Sequence, residues 1–78
     1  MSIEVVFPEV SKNNPKTQGV VATWFVSDHD QVSQGQLLAE VQVDKIDVEV
    51  HSPSDGIIKI IAEEGTELIQ LDVIAYID

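Results

Sequence analysis

Apolar residues fall on alternate positions in short bursts along this chain, and turn-forming residues separate the bursts. Leu37, Ala39, Val41 and Val43 share one face of an extended segment by the period of two. Val48 and Val50 repeat the pattern a few residues on, with Asp47 and Glu49 facing water. No window of about eleven residues carries an apolar stripe at helical spacing. The runs predict strands at Ile3–Phe7, Val20–Val26, Leu37–Val43, Ile46–Val50, Ile57–Ala62 and Val73–Ile77, with short extended pieces near Val32 and Leu68. Ser11–Gln18, with Asn13-Asn14-Pro15 inside it, reads as a polar surface loop, and Ser52-Pro53-Ser54-Asp55-Gly56 as a second turn. Trp24 and Phe25 occupy neighbouring strand positions and so point opposite ways, one of them into the core. Many short strands at close spacing predict an all-β sandwich or barrel.

The pattern also repeats. Asp28–Val41 lies over Glu64–Ile77 without a gap, at a constant offset of 36 (64 − 28 and 77 − 41). Val32 meets Leu68, Gln34 meets Gln70, Leu37-Leu38-Ala39 meets Val73-Ile74-Ala75, and Val41 meets Ile77. Upstream, Gly19-Val20-Val21 matches Gly56-Ile57-Ile58 with one residue of slippage. Each unit reads glycine, apolar strand, acidic turn, short strand, apolar strand. Two such units predict a pseudo-two-fold pair, each covering the apolar face that the other exposes. The connector 42–55 and the N-terminal arm fall outside the repeat.

At 78 residues the chain makes one domain, 1–78, which buries only about 60% of the surface its unfolded form exposes. It has no cysteine, so neither a disulfide nor a thiolate metal site supplements the core. Fourteen acids against four lysines and no arginine leave a formal net charge of −10. That field repels phosphate backbones and anionic lipid and suits transient docking on basic protein surfaces. No apolar run approaches the ~18 residues of a membrane span, and Met-Ser-Ile-Glu lacks the basic start of a secretory signal. A cytoplasmic protein is expected.

Candidate chemistry concentrates in the connector. Two alternating strands with Asp44-Lys45 between them predict a tight hairpin, with Lys45 at the tip, its amine in solvent and its backbone held by paired strands. Elsewhere the signals are bland. Asp28-His29-Asp30 reads as an acidic solvated turn; a helix–loop–helix calcium loop starting there would need oxygen ligands at Val32 and Ala39. His51 is expected at a surface or edge. With no cysteine and no triad-like partner for either histidine, the polypeptide itself is expected to be non-catalytic.

Glu40-Val41-Gln42-Val43-Asp44-Lys45, followed by Val48-Glu49-Val50, Ser52-Pro53 and Gly56-Ile57-Ile58, resembles the lipoyl attachment hairpin of 2-oxo acid dehydrogenase complexes. Ile3–Glu9, Gly19-Val20-Val21, Gln31-Val32 and Gly35–Leu38 extend the resemblance over nearly the whole chain. It implies the family's flattened barrel-sandwich of two four-stranded antiparallel sheets. It also implies lipoic acid amide-linked to Lys45, with Asp44 and Ile46 flanking it in the hairpin that the modifying ligase or transferase recognises. The chain would then be a monomeric swinging-arm carrier within a dihydrolipoamide acyltransferase. Its partners would be a thiamine-diphosphate-dependent decarboxylase, the acyltransferase core and a dihydrolipoyl dehydrogenase. A biotin carrier shares the architecture, but its family places Met on both sides of the lysine, where this chain has Asp44 and Ile46. A glycine-cleavage carrier protein also bears lipoyl-lysine, but such chains are longer and carry extra helices, and an unmodified barrel-sandwich interaction module is a further alternative. Two features depart from the lipoyl pattern. His29 stands where a glycine is usual, in a turn that Gly65 fills in the second unit, and Ser11-Lys12-Asn13-Asn14 replaces a glycine- and glutamate-rich stretch.

Overall fold

Eight short strands follow one another in the computed structural model, which describes residues 2–9, 13 and 17–78. They are β1 (Ile3–Val6), β2 (Gln18–Trp24), β3 (Gln31–Val32), β4 (Leu37–Val43), β5 (Ile46–His51), β6 (Gly56–Ile60), β7 (Glu67–Ile69) and β8 (Val73–Ile77). Two four-stranded antiparallel sheets result, ordered β1-β8-β6-β3 and β5-β4-β2-β7. Strands dominate because Val, Ile and Thr are stiff at χ1 and pack well on a pleated surface. The sheets face each other in a flattened body of 33 × 21 × 18 Å.

The two sheets are images of one another. Exchanging β1 for β5, β8 for β4, β6 for β2 and β3 for β7 turns one strand order into the other. Hydrogen bonds follow the repeat. His29 N–H donates to the Ile58 carbonyl at 2.8 Å, and Gly65 N–H to that of Val21 at 2.8 Å. Gly35 N–H donates to Ser52 O at 2.8 Å, and Leu71 N–H to Phe7 O at 2.8 Å. Phe7 N–H and Ser52 N–H answer in kind, donating to Asp72 O and Gln36 O. These reciprocal bonds stitch the extensions of β1 and β5 to the turns entering β8 and β4, bridging two corners of the sandwich.

The core is doubled in the same way. Val21 and Ile58, Leu38 and Ile74, Ala39 and Ala75, and Val41 and Ile77 are all buried, and Val5, Phe7, Val32, Val43 and Val50 join the same cluster. Each large side chain so removed from water contributes roughly 1.5–3 kcal/mol. Among the described residues, no buried side-chain nitrogen or oxygen lacks a partner.

Strand boundaries differ from the sequence pattern in informative places. The predicted Val20–Val26 strand runs instead from Gln18 to Trp24, because polar Gln18 and Gly19 pair with Ile69 and Leu68 of β7. Likewise β6 begins at Gly56 and ends at Ile60; beyond it the amides of Ile61 and Ala62 both reach the Ile74 carbonyl, which ends the ladder. Leu37 is only half-buried although it was expected to face inward with Ala39. A register shift between Leu37 and Ala39 turns Leu38 into the core as well. Of the polar loop Ser11–Gln18, Asn13 is exposed, Gln18 belongs to β2, and residues 11, 12 and 14–16 lie outside the described residues.

Candidate functional site: a left-handed hairpin tip carrying Lys45

Val43 pairs with Ile46, which leaves two residues, Asp44 and Lys45, to reverse the chain between β4 and β5. Two-residue hairpin loops that match the right-handed twist of their strands are of type I′ or II′, and type I′ needs positive φ at both positions. Asp44 has φ 50° and Lys45 φ 71°. Asp tolerates this region; lysine does so at a cost of roughly 1–2 kcal/mol. The residue usual at Lys45's position in such a turn is glycine, so the strain lies on the residue that bears the amine.

Below the tip the hairpin is stiff. The ladder runs unbroken from Val43↔Ile46 through Gln42↔Asp47, Val41↔Val48 and Glu40↔Glu49, and Val41, Val43 and Val50 root it in the core. Val48 is half-buried while Asp47 and Glu49 face water, as the alternation predicts. Gly19 lets β2 run close beneath. A Cβ placed there would lie 2.5 Å from Phe7 Cζ, 2.7 Å from the Gln42 carbonyl oxygen and 2.8 Å from Val43 Cγ2. The hairpin base is therefore clamped between an aromatic ring and a bare backbone.

Lys45, Asp44 and Ile46 are all exposed, Ile46 at 63%. Among the described residues, the carboxylates within ion-pair distance of a basic nitrogen are Asp28, 3.6 Å from His29 Nδ1, and Glu49, 3.9 Å from His51 Nε2. Lys45 thus stands in solvent without a partner carboxylate among them. Its side chain is open to solvent, and the paired strands on both sides hold its backbone.

The other candidates sort themselves by what they bond. Asp28 Oδ1 accepts from Ile60 N–H at 2.8 Å, and Asp30 Oδ2 from Ser27 N–H at 2.8 Å, so this acidic turn spends its carboxylates on backbone amides. Its repeat mate does the same, with Glu64 Oε2 accepting from Trp24 N–H at 2.9 Å. His29 adopts φ 71° where Gly65 has φ 86°, as the departure in that turn implied. His51 is exposed at the end of edge strand β5. Trp24 packs half-buried against the core and donates its indole N–H to the Ala62 carbonyl at 2.8 Å, while Phe25 is 53% exposed.

Sequence reasoning missed two features of the site. The left-handed backbone at Lys45 depends on the loop holding two residues in a type I′ turn, which needs the pairing of Val43 with Ile46. The like-charge pair Glu40↔Glu49, set directly across β4 and β5, needs the register. Neither is visible from local composition.

The family described as "Biotin-requiring enzyme", the biotin/lipoyl attachment domain, matches residues 3–77. The dihydrolipoyllysine-residue acetyltransferase component of the pyruvate dehydrogenase complex of Zymomonas mobilis is 43% identical over 70 residues, covering 88% of this chain. Its counterpart from Staphylococcus aureus is 37% identical and that from Staphylococcus epidermidis 34%, each covering 100% of this chain. The chain spans only 16–18% of the length of these relatives. A match across three residues short of the full chain, on a fold with the paired sheets the resemblance implied, places this chain in the biotinyl/lipoyl attachment family.

Proposed function

We propose that this chain is a lipoyl carrier domain whose arm is amide-linked to Lys45. The observation that carries the reading is an unpaired lysine held in a strained left-handed conformation at the tip of a rigid hairpin. Strain retained at one exposed residue, where glycine would relieve it, points to a use for that side chain. Asp44 and Ile46 flank the lysine in place of the methionines of biotin carriers, and the relatives' names specify dihydrolipoyllysine. Both support lipoate over biotin.

Attachment needs little from the protein. The Lys45 amine, once deprotonated, attacks the activated carbonyl; the C–N bond forms, the activating group leaves with the acyl bond's electrons, and nitrogen sheds its remaining excess proton. One positive charge is lost, taking the net from −10 to −11 (−10 − 1). When bound, the lipoyl group supplies reversible dithiol–disulfide and acyl-carrying chemistry. The chain itself provides position. Its paired strands fix the root of the arm, and tethering raises the arm's effective concentration at each active site it visits. In this reading the chain makes and breaks no substrate bond. It serves, as a single copy in the cytoplasm, a thiamine-diphosphate-dependent decarboxylase, an acyltransferase core and a dihydrolipoyl dehydrogenase, after a lipoate ligase or transferase has loaded it.

Intact-mass analysis after expression with lipoate and a lipoate ligase tests the reading. Wild type gains one lipoyl group and Lys45→Ala gains none. Modification of Lys45 by biotin under parallel conditions, or by neither group, overturns it.

A further inference from the structure

A cleft of about 410 Å³ opens at the waist of the sandwich, lined by Trp24, Asp28, Ile60, Glu63 and Glu64. Trp24 lies level with Ala39 on one sheet and Ile60 with Ala75 on the other. Trp24 and Ile60 are repeat mates at the offset of 36 (60 − 24), and so are Asp28 and Glu64 (64 − 28). The cleft therefore sits where the two units meet across their pseudo-two-fold axis. Ala39 is four residues along β4 from Val43 (43 − 39), which sets the cleft roughly 13 Å back from the Lys45 turn. It is a separate site.

Its lining has two layers. Trp24 and Ile60, both half-buried, form an apolar floor, and three exposed carboxylates rim it. Backbone bonds hold the rim in place. Asp28 Oδ1 accepts from Ile60 N–H and Glu64 Oε2 from Trp24 N–H, so each acid is tied to a floor residue of the other unit and keeps a second oxygen. The indole N–H donates to the Ala62 carbonyl at 2.8 Å, an in-plane bond that fixes the ring. Within ion-pair distance of the three acids, the described residues supply one basic nitrogen, His29 Nδ1, 3.6 Å from Asp28 Oδ2. Two mates differ in character. Where one unit has Ile60 the other has Trp24, and where one has Ser27 the other has Glu63 (63 − 27). The added aromatic ring and the added carboxylate fall in the same cleft, and both favour a cation.

We infer that this cleft receives an arginine side chain presented by a partner protein. A guanidinium is planar, so it can lie on the indole while its edge N–H groups reach the carboxylates; a compact ammonium cannot do both at once. Its aliphatic stem covers Ile60. The cleft is open, since Trp24 and Ile60 are only half-buried and the acids are exposed. It therefore admits a protruding side chain and does not enclose a free molecule. The net charge of −10 draws a basic segment toward it. None of this depends on the carrier reading.

Trp24 is the chain's one tryptophan, so its fluorescence reports on the cleft directly. Titrating the unmodified chain with a capped tripeptide, a central arginine between two glycines, changes that fluorescence saturably. The same peptide with citrulline, uncharged and of equal shape, binds about tenfold or more weakly. Glu63→Gln, at the acid that caps neither floor amide, weakens Kd for the arginine peptide about threefold and leaves Tm unchanged. Glu49→Gln, the same change of charge on the hairpin, leaves Kd unchanged. A flat titration, citrulline binding within about twofold of arginine, or equal losses from Glu63→Gln and Glu49→Gln overturns the inference. So does tighter binding of free butylguanidinium than of the arginine peptide, which would assign the cleft to a small free cation.

Discussion

The two ends of this sandwich are built from the same turns and strands, yet only one is closed. At the first, β4 and β5 are joined by the left-handed Asp44-Lys45 turn. At the second, the equivalent strands β8 and β1 are the chain's two ends, paired from Ile3↔Ile77 and tied by Ser2 Oγ, which donates to Asp78 Oδ1 at 2.6 Å. Pseudo-symmetry makes the Lys45 hairpin the image of the termini. The difference marks where the proposed attachment site stands apart from the repeat. The repeat supplies the barrel, and the connection between β4 and β5 carries an exposed lysine. Strain follows the same division. Outside the hairpin, the non-glycine residues with positive φ among the described residues are His29 and Leu71, each the mate of a left-handed glycine; inside it, Asp44 and Lys45 both lie in the connector that falls outside the repeat.

Substitutions at matched positions sharpen this comparison. The largest effect is expected at Gly19, where any side chain drives into Phe7, Gln42 and Val43 under the hairpin. Gly19→Val should lose about 3 kcal/mol of stability in urea denaturation, since overpacking a rigid core is as damaging as hollowing it. A loss below about 1 kcal/mol would mean that the hairpin base yields. Next comes the turn itself. Asp44→Val puts a β-branched residue into left-handed backbone and should destabilise by about 1–2 kcal/mol. Asp44→Asn should be near neutral, and equal stability of the two variants would show that the turn has changed type.

Smaller effects of opposite sign are expected at the repeat mates. Gly35→Leu should lower stability by about 1 kcal/mol through backbone strain alone, because its side chain meets open space. Leu71→Gly should raise it by about 0.5–1 kcal/mol, the strain relieved less the extra chain entropy of glycine. A fall in Tm for Leu71→Gly would show that the leucine packs usefully in the fold. Least of all, adding salt should raise Tm by a few degrees, since a net charge of −10 repels itself across 33 Å and screening acts within about 10 Å at 0.1 M. Unchanged Tm would indicate that the acids are spaced widely enough not to interact.

Much of the fold was legible because its signals are local. The alternation at Leu37–Val43 and Val73–Ile77 gave both strands at their observed bounds, and the offset of 36 foretold the paired sheets. Gln18 and Gly19 hid the start of β2 because their place in the ladder comes from β7 and from an aromatic ring that only a bare backbone admits. Leu38 broke the alternation because a bulge shifts the register, and nothing near Leu38 in the sequence marks it. For the site, the position of Lys45 at a hairpin tip could be read directly, whereas its left-handed backbone, and that of Leu71, required knowing which residues pair on either side.

By itself, then, the sequence determined the class of fold, the doubling of the core and the placing of a lone lysine between two strands, because side-chain alternation and turn chemistry act over a few residues. Tertiary structure decided which residues bear strain, which acids oppose one another and which side chains meet in the cleft at the waist. Those depend on register between strands distant in the chain, and register is fixed only when the two sheets close over a common core.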